Sequence, residues 1–317
     1  NLRYQNNTII ADSLFGIKYN LSNFDLNKYG FNQVTSEKTM GLYQNNNASQ
    51  LAILTDGIYK NIDFTVNTLD NQTSLLNALS GLNLNYFKRA PSQLFDKDAK
   101  SLNQRVAKNV SNSNKDFVTI TYRVIAPPHS QLYVSVPNIS WSDDNNHSLS
   151  ITVNGVTRNQ VTDNTFDFFD LGYFETESMV TIKLSFPGNK VISFDNPSFY
   201  ALDTQNYQIA MNTINERDSK VTTSNNKVFV DYSSKTNASL FFTIPYDKGW
   251  TATINHKKVK IQRAQKGFMK VDVPSGKGEV VLTFIPYGLK TGLVISLLAS
   301  IIFCCYAYFI RKITVIQ

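Results

Sequence analysis

Cysteine is nearly absent. Cys304 and Cys305 are the two in 317 residues, and both lie in an apolar run near the C-terminus. Adjacent cysteines rarely bridge each other, and no third is available to pair with them. The chain before Lys290 therefore carries no disulfide, no thiol nucleophile and no cysteine metal site. Such a region suits a bacterial surface protein better than a eukaryotic ectodomain. Charge is scarce too. Asp, Glu, Lys and Arg make up 17% of the chain, below the usual quarter, and Asn, Ser and Thr fill the difference. The formal net charge is +7. The lysines are scattered instead of striped and no nucleic-acid motif occurs, so nucleic acid is not an expected partner. Weak attraction to anionic surface polymers or lipid headgroups stays compatible with that charge. Histidine is limited to His129, His147 and His256. No two have metal-ligand spacing, so neither a metal nor another cofactor is expected. No phosphate loop, dinucleotide fingerprint or G-x-S-x-G elbow appears.

Apolar material is ample. Hydrophobic residues make up 42% and aromatics 12%, enough for packed cores and too much for global disorder. A chain of 317 residues implies two or three domains. The first residue is Asn1, with no initiator Met and no signal peptide, so an upstream segment is expected to export the chain.

Thr291 to Ile310 reads TGLVISLLASIIFCCYAYFI, without a charge. At about 1.5 Å per residue such a helix reaches about 30 Å, the hydrocarbon thickness of a bilayer. Tyr287 and Lys290 flank one side; Tyr306, Tyr308, Arg311 and Lys312 flank the other. Tyrosine and snorkelling cations at both ends match interfacial anchoring. Arg311 and Lys312 place the tail in the cytoplasm and the rest outside, in a bacterial cell membrane. Lysines at 266, 270, 277 and 290 reduce the contrast on which that orientation rests.

From about residue 117 to 286 the pattern is alternation and turns. FVTITYRV, QLYVSVP, SLSITVNG and VTIKLSF read as strands, as do KVFVDY, SLFFTIP, TATINH, FMKVDVP and EVVLTFIP. Landmarks recur in order. VPNISW (136–141) returns as IPYDKGW (244–250), and the turn Asn154-Gly155 as Asn255-His256. FDFFDL (166–171) parallels FMKVDV (268–273), and VTIKLSFPG (180–188) parallels VVLTFIPYG (280–288). The expectation is a mainly β protein with two tandem jelly-roll-like sandwiches. The first has one extra strand, Ile192 to Leu202. In the second copy the membrane helix begins where that strand would start. Pro137 and Trp141 are expected to overlay Pro245 and Trp250, with both indoles inward.

The first 115 residues read differently. Asp12 to Ser22 holds a strand-like apolar run, and TSLLNALSGL (73–82) reads as a short helix with Leu75, Leu76 and Leu79 on one face. Thr73 is its expected N-cap. Asp96 to Asn114 is polar and reads as linker. The expected division is a small α+β subdomain with linker at 1–115, a first sandwich at 116–203 and a second at 204–287. A membrane helix follows at 288–312, then a tail at 313–317.

No catalytic constellation emerges. Asp167, Asp170, Glu175 and Glu177 could seat a calcium ion or act as a carboxylate pair, but alternation puts Asp167 on the solvent face, and an ordinary solvated strand and turn explains the group more simply. Trp141, Tyr246 and Trp250, with Asp247 adjacent, suggest sugar binding, since flat rings stack on pyranose faces. A tryptophan recurring at one repeat position is more simply a core or corner residue.

Five segments in order resemble the C-terminal part of the YfhO family of bacterial multi-span membrane proteins. They are LFGIKYNLS (14–22), GLYQNNNA (41–48), IPYDKGWTATINHKKV (244–259), GFMKVDVPSGKGEVVLTFIPYG (267–288) and the helix after them. The resemblance implies a GT-C-type glycosyltransferase that takes sugar from a polyprenyl-phosphate donor and passes it to a cell-surface polymer such as lipoteichoic acid. This chain lacks the family's multi-span N-terminal part, so no family catalytic residue transfers to it, and it is expected to be inactive alone. Its implied partners are the bilayer, that missing region, the lipid-linked sugar and the wall polymer. The alternative is a single-span surface protein whose sandwiches bind carbohydrate or a protein. Further hydrophobic spans upstream would favour the first; a single signal peptide would favour the second.

Overall fold

The computed structural model describes residues 8–97, 101–102, 106–108, 117–141, 147–162, 167–187 and 191–314. Its strands follow the period-2 pattern of the sequence. Ser178–Pro187, for example, alternates buried and more exposed side chains over most of its length. Two sandwiches result. In the first, a five-stranded sheet runs in the order Val156–Thr162, His147–Val153, Ser178–Pro187, Phe117–Ala126, Ser92–Lys97. It faces a four-stranded sheet ordered Asp167–Phe174, Ser130–Val136, Ser198–Asp203, Phe87–Arg89. Ile120, Val134, Leu149, Phe169 and Leu184 fill the space between them.

The second sandwich repeats this wiring. Its five-stranded sheet runs Lys257–Val259, Trp250–Ile254, Gly276–Phe284, Lys227–Ser234, Ser219–Ser224. Each strand stands where its counterpart does in the first copy. The turns match in detail. Asn154 and Asn255 both adopt φ 47°, the left-handed region asparagine tolerates best among residues with a side chain. Asn154 donates its N–H to Thr181 O and accepts from Thr181 N–H through Oδ1, both at 3.0 Å. Asn255 makes the same pair with Glu279, both at 2.9 Å.

The tryptophans do not match. Counting back from the turn asparagines, Trp250 falls level with Leu149, which is buried in the first core. Trp141 belongs to a separate small sheet, where Ser140–Trp141 pairs with Val191–Ser193. The first copy has a longer connection before its strand and uses part of it for that side sheet. The expected overlay of Trp141 on Trp250 is thus wrong in register, although the repeat itself is present; Trp141's side chain lies outside the described residues.

The missing strand of the second copy comes from the N-terminal region. Ala52–Leu54 pairs antiparallel with Ala238–Phe242, the place that Ser198–Asp203 takes beside Ser130–Val136 in the first copy. The physical reason is the exit of the chain into its last helix after Phe284. Without a substitute, backbone groups of Ala238–Phe242 would face the core unpaired. The division at residue 115 therefore changes. Phe87–Arg89 and Ser92–Lys97 are strands of the first sandwich, and the expected linker contains Ser101–Leu102 and Val106–Lys108, paired as strands.

Helices occupy the gap between the sandwiches. Helix α1 (Ile9–Leu14) is capped by Thr8, whose side chain accepts from Ala11 N–H; the strand expected from Asp12 is confined to Tyr19–Ser22. Helix α2 (Thr68–Ser80) starts earlier than expected. Asn67, not Thr73, is its N-cap and accepts from Leu69 N–H and Asp70 N–H, and Gly81 closes it at φ 77°. Helix α3 (Thr204–Asn215) stands where the sequence predicts the start of the second sandwich; Asp203 caps it, and Tyr207, Ala210, Met211 and Ile214 form its buried stripe. Together with Tyr133 and Phe168 of one sandwich and Phe241 of the other, these helices build a central core. A sheet of Tyr19–Ser22, Met40–Asn45 and Phe31–Glu37 flanks it.

Helix α4 (Leu289–Thr314) carries a 20-residue stretch, Leu289–Tyr308, of mean hydropathy 2.0, none of it buried. It is long and apolar enough to cross a membrane. Tyr287, Tyr306 and Tyr308 are exposed, Lys290 sits in its first turn and Arg311 in its last; Lys312's side chain lies outside the described residues. Leu298→Lys should weaken membrane partitioning by about 2.5–3.5 kcal/mol, and Lys290→Arg should leave it unchanged. Equal partitioning of the two variants would make α4 a core helix.

Candidate functional site

The end of the second sandwich from which α4 leaves is built by the IPYDKGW segment. Asp247 Oδ1 accepts from Gly249 N–H at 2.7 Å, and Trp250 N–H reaches Asp247 O at 3.3 Å, which closes a tight turn. The turn clasps the outgoing strand: Ile285 N–H donates to Gly249 O at 3.0 Å. Asn226 grips the same strand, accepting from Phe284 N–H at 2.9 Å and donating Nδ2–H to Phe284 O at 2.7 Å. The half-buried Trp250 packs on Phe284, ring centroids 4.9 Å apart. The Arg263 guanidinium lies 4.5 Å over the Tyr246 ring, and Lys248 Nζ 5.8 Å from the Tyr287 ring. Tyr246, Asp247 and Trp250, nominated for sugar stacking, thus come together, each with a partner from this chain; Trp141 is not among them.

Two carboxylates at the same repeat position form a second cluster, on the sheet faces turned toward the helices. Asp272 accepts from Ser239 Oγ at 2.6 Å, Lys270 Nζ at 2.9 Å and Gln262 Nε2 at 2.7 Å. Burial pushes its carboxyl up, but those three bonds outweigh it and hold Asp272 below the usual range. Asp170 accepts at Oδ1 from Gln131 Nε2 at 2.7 Å and Gly172 N–H at 2.8 Å, and its buried Oδ2 has no partner. The nearby ammonium of Lys28 bonds Asp12 instead, at 2.5 Å. Burial therefore wins at Asp170 and raises its pKa, against Lys28, Gly172 and Gln131. Asp170 is not the solvated residue expected of its acidic group. The signal lay in FDFFDL: Phe168, Phe169 and Leu171 are all buried, so apolar residues on both parities mark a strand covered on both faces.

A family model described as bacterial membrane protein YfhO matches residues 1–296. The chain belongs to the YfhO family. A relative from Bacillus subtilis strain 168, named uncharacterized protein YfhO, is 29% identical over 110 residues, which take in 33% of this chain and 13% of that protein. Among solved structures, a Paenibacillus sp. cycloisomaltooligosaccharide glucanotransferase, complexed with cycloisomaltoheptaose, is similar at 9% identity and TM-score 0.24, over 71% of this chain and 52% of that one. The N-terminal CBM22-1-CBM22-2 tandem domain of Paenibacillus barcinonensis Xyn10C is similar at 10% identity and TM-score 0.20, over 63% and 86%. Likeness at that level carries no argument about ligands.

The remaining nominated groups of this YfhO-family chain lie apart. His129 Nδ1 is 3.2 Å from Glu175 at an exposed turn, His256 occupies the exposed second turn position, and His147's side chain lies outside the described residues. A cleft of about 490 Å³ beside α1 is lined by Lys18, Gln44, Asn46, Gln50 and Thr223. Gln50 there bonds Ser219 O and Val221 N–H of the sheet edge at 3.0 and 2.7 Å, which makes its amide a structural clip.

Asp170 sets a pH signature. The folded state holds its proton more tightly than the unfolded chain does, so ionisation favours unfolding. That penalty is absent below about pH 4, the ordinary carboxylate pKa. It grows as pH rises to the raised folded value and is constant above it. Asp272 has the opposite sign: its lowered pKa adds stability that is lost as pH falls through the folded value. Asp170→Asn keeps the Oδ1 acceptor and should cost at most about 1 kcal/mol at neutral pH. Denaturant unfolding at a series of pH values should then show a steeper gain between acid and neutral pH than in the parent chain. Parallel curves would place the Asp170 charge elsewhere in the balance.

Proposed function

We propose that this chain is the extracytoplasmic, non-catalytic C-terminal region of a multi-span GT-C-type glycosyltransferase that moves sugar from a polyprenyl-phosphate donor to a cell-surface polymer such as lipoteichoic acid. YfhO family membership over residues 1–296 and the apolar helix α4 support it. One observation carries the reading. The second sandwich is fastened to the strand that feeds α4 through Gly249 O, Asn226 and the Trp250–Phe284 contact. A helix in the bilayer so joined would hold the β body close to the membrane surface, where a lipid-linked donor and a wall polymer meet. The shared helical core then makes both sandwiches one platform on which acceptor and membrane part are aligned. The chemistry belongs to the multi-span part, and α4 returns the tail to the cytoplasm.

Cysteine labelling tests the orientation in a background without Cys304 and Cys305. Ser275→Cys should react with an impermeant reagent added outside intact cells, and Thr314→Cys should not. The reverse pattern would remove the exterior role. Supplied with a polyprenyl-phosphate sugar, this chain alone should show no transfer; turnover would overturn the non-catalytic assignment.

A further inference from the structure

The end of the second sandwich that emits α4 is a ring of unpaired cations. Lys227 opens its strand level with Thr283 of the outgoing strand. Lys248 lies beside Tyr287, and Arg263 over Tyr246. Lys266 sits in the turn whose Gly267 O accepts from Tyr246 N–H at 2.8 Å, and Lys290 is in the first turn of α4. All five are exposed, and among the described residues none of them forms an ion pair. Asp247 shares the rim, but its Oδ1 is occupied by Gly249 N–H. The opposite end differs. There Lys220 stands across the ladder from Asp231, and Asp218 and Lys277 line the same cleft as both. The opposite end interleaves Lys220, Lys235, Lys257 and Lys277 with Asp218, Asp231 and Glu279, whereas the end that emits α4 sets five cations against Asp247.

Position decides what such a rim meets. Tyr287, 81% exposed, projects at the start of a helix that is apolar enough to span a bilayer. A tyrosine at that depth belongs at headgroup level. Lys248, 5.8 Å from the Tyr287 ring, then lies within a Debye length of the phosphates.

We propose that this rim is a docking surface for anionic phospholipid headgroups, which seats the second sandwich on the bilayer around α4. The proposal rests on α4 lying in a membrane and not on any glycosyltransferase activity. Each cation near an anionic surface contributes about fivefold to the docked-to-free ratio at moderate salt. The interaction is screened as ionic strength rises.

The test uses the full chain, free of Cys304 and Cys305, reconstituted in phosphatidylcholine vesicles with or without phosphatidylglycerol and a headgroup-attached quencher. A fluorophore on Ser224→Cys reports the rim, and one on Ser275→Cys the opposite end. Quenching at the rim should rise with phosphatidylglycerol, fall with chloride, and fall with inorganic phosphate no more than with chloride at equal ionic strength. The variant K227Q/K248Q/R263Q/K266Q should lose it, while the Ser275→Cys probe stays unchanged. Equal rim quenching in neutral and anionic vesicles, or an unaltered quadruple variant, overturns the docking surface. So does selective reversal by phosphate, which would mark a free-phosphate site. Retention of the chain after alkaline carbonate extraction separates loss of docking from loss of the membrane span.

Discussion

Arg217→Met should destabilise the folded chain by about 4 kcal/mol, more than a typical core truncation of similar size. The Arg217 guanidinium follows α3 and donates to three carbonyls, Leu54 O at 2.7 Å, Leu79 O at 2.6 Å and Ser80 O at 2.5 Å. Two of those close the last turn of α2, where carbonyls have no intrahelical partner and the helix dipole favours a cation. The third belongs to Ala52–Leu54, the strand lent to the second sandwich. One side chain thus ties α3, α2 and the borrowed strand together. Methionine keeps much of the volume and removes every donor. Each buried carbonyl left without a partner costs about 1–3 kcal/mol. Arg217→Lys should recover part of the loss, because one ammonium cannot match the planar fork. Denaturant unfolding of the full chain in detergent measures both, and hydrogen exchange should show the end of α2 opening first. A loss below about 1 kcal/mol for the methionine variant would mean that solvent replaces the guanidinium.

The sheet wiring was legible because it depends on strand order and on turn chemistry, both of which are local. Asn154 and Asn255 announce the two hairpins, and the landmarks around them recur in the same order. The borrowed strand was not legible. Ala52–Leu54 is short and apolar, and nothing near it in sequence names Ala238–Phe242 as its partner, nearly two hundred residues away. Helix α3 was hidden for another reason. Its stripe of Tyr207, Ala210, Met211 and Ile214 is set among Asn and Thr, which favour helix only weakly. The tryptophan equivalence does not hold because register is set by the count from the turn, and a shared residue type carries no such information. At the candidate site, the grouping of Tyr246, Asp247 and Trp250 was readable from adjacency. The partners that cover them, Arg263 and Phe284, come from other strands. Burial at Asp170 was readable from the double parity of FDFFDL, but Gln131, which bonds its Oδ1, comes from the neighbouring strand.

Gly249→Val should be as damaging as the loss of Arg217, at about 4 kcal/mol, and should act at the joint between sandwich and membrane helix. A Cβ at Gly249 would lie 2.4 Å from Ile285 O and 2.8 Å from the Phe284 ring. The first of these atoms is backbone and cannot swing aside. The same residue is also held through the preceding peptide, since Ile285 N–H donates to Gly249 O at 3.0 Å. Relief requires the two segments to part. That breaks the bond, loosens the Trp250–Phe284 contact and frees the Asp247 turn. Overpacking in cores usually costs about 1–3 kcal/mol, and contact with fixed backbone at both ends places this case above that range. Gly267→Ala is the control in the same region: its Cβ would meet nothing closer than Gln265 O at 3.9 Å, and the variant should stay within about 0.5 kcal/mol of the parent. Beyond stability, Gly249→Val should uncouple the β body from α4. In the vesicle experiment the Ser224→Cys probe should become less quenched even though every rim cation remains. Retained quenching together with an unchanged unfolding midpoint would show that the turn does not fasten the sandwich to the outgoing strand.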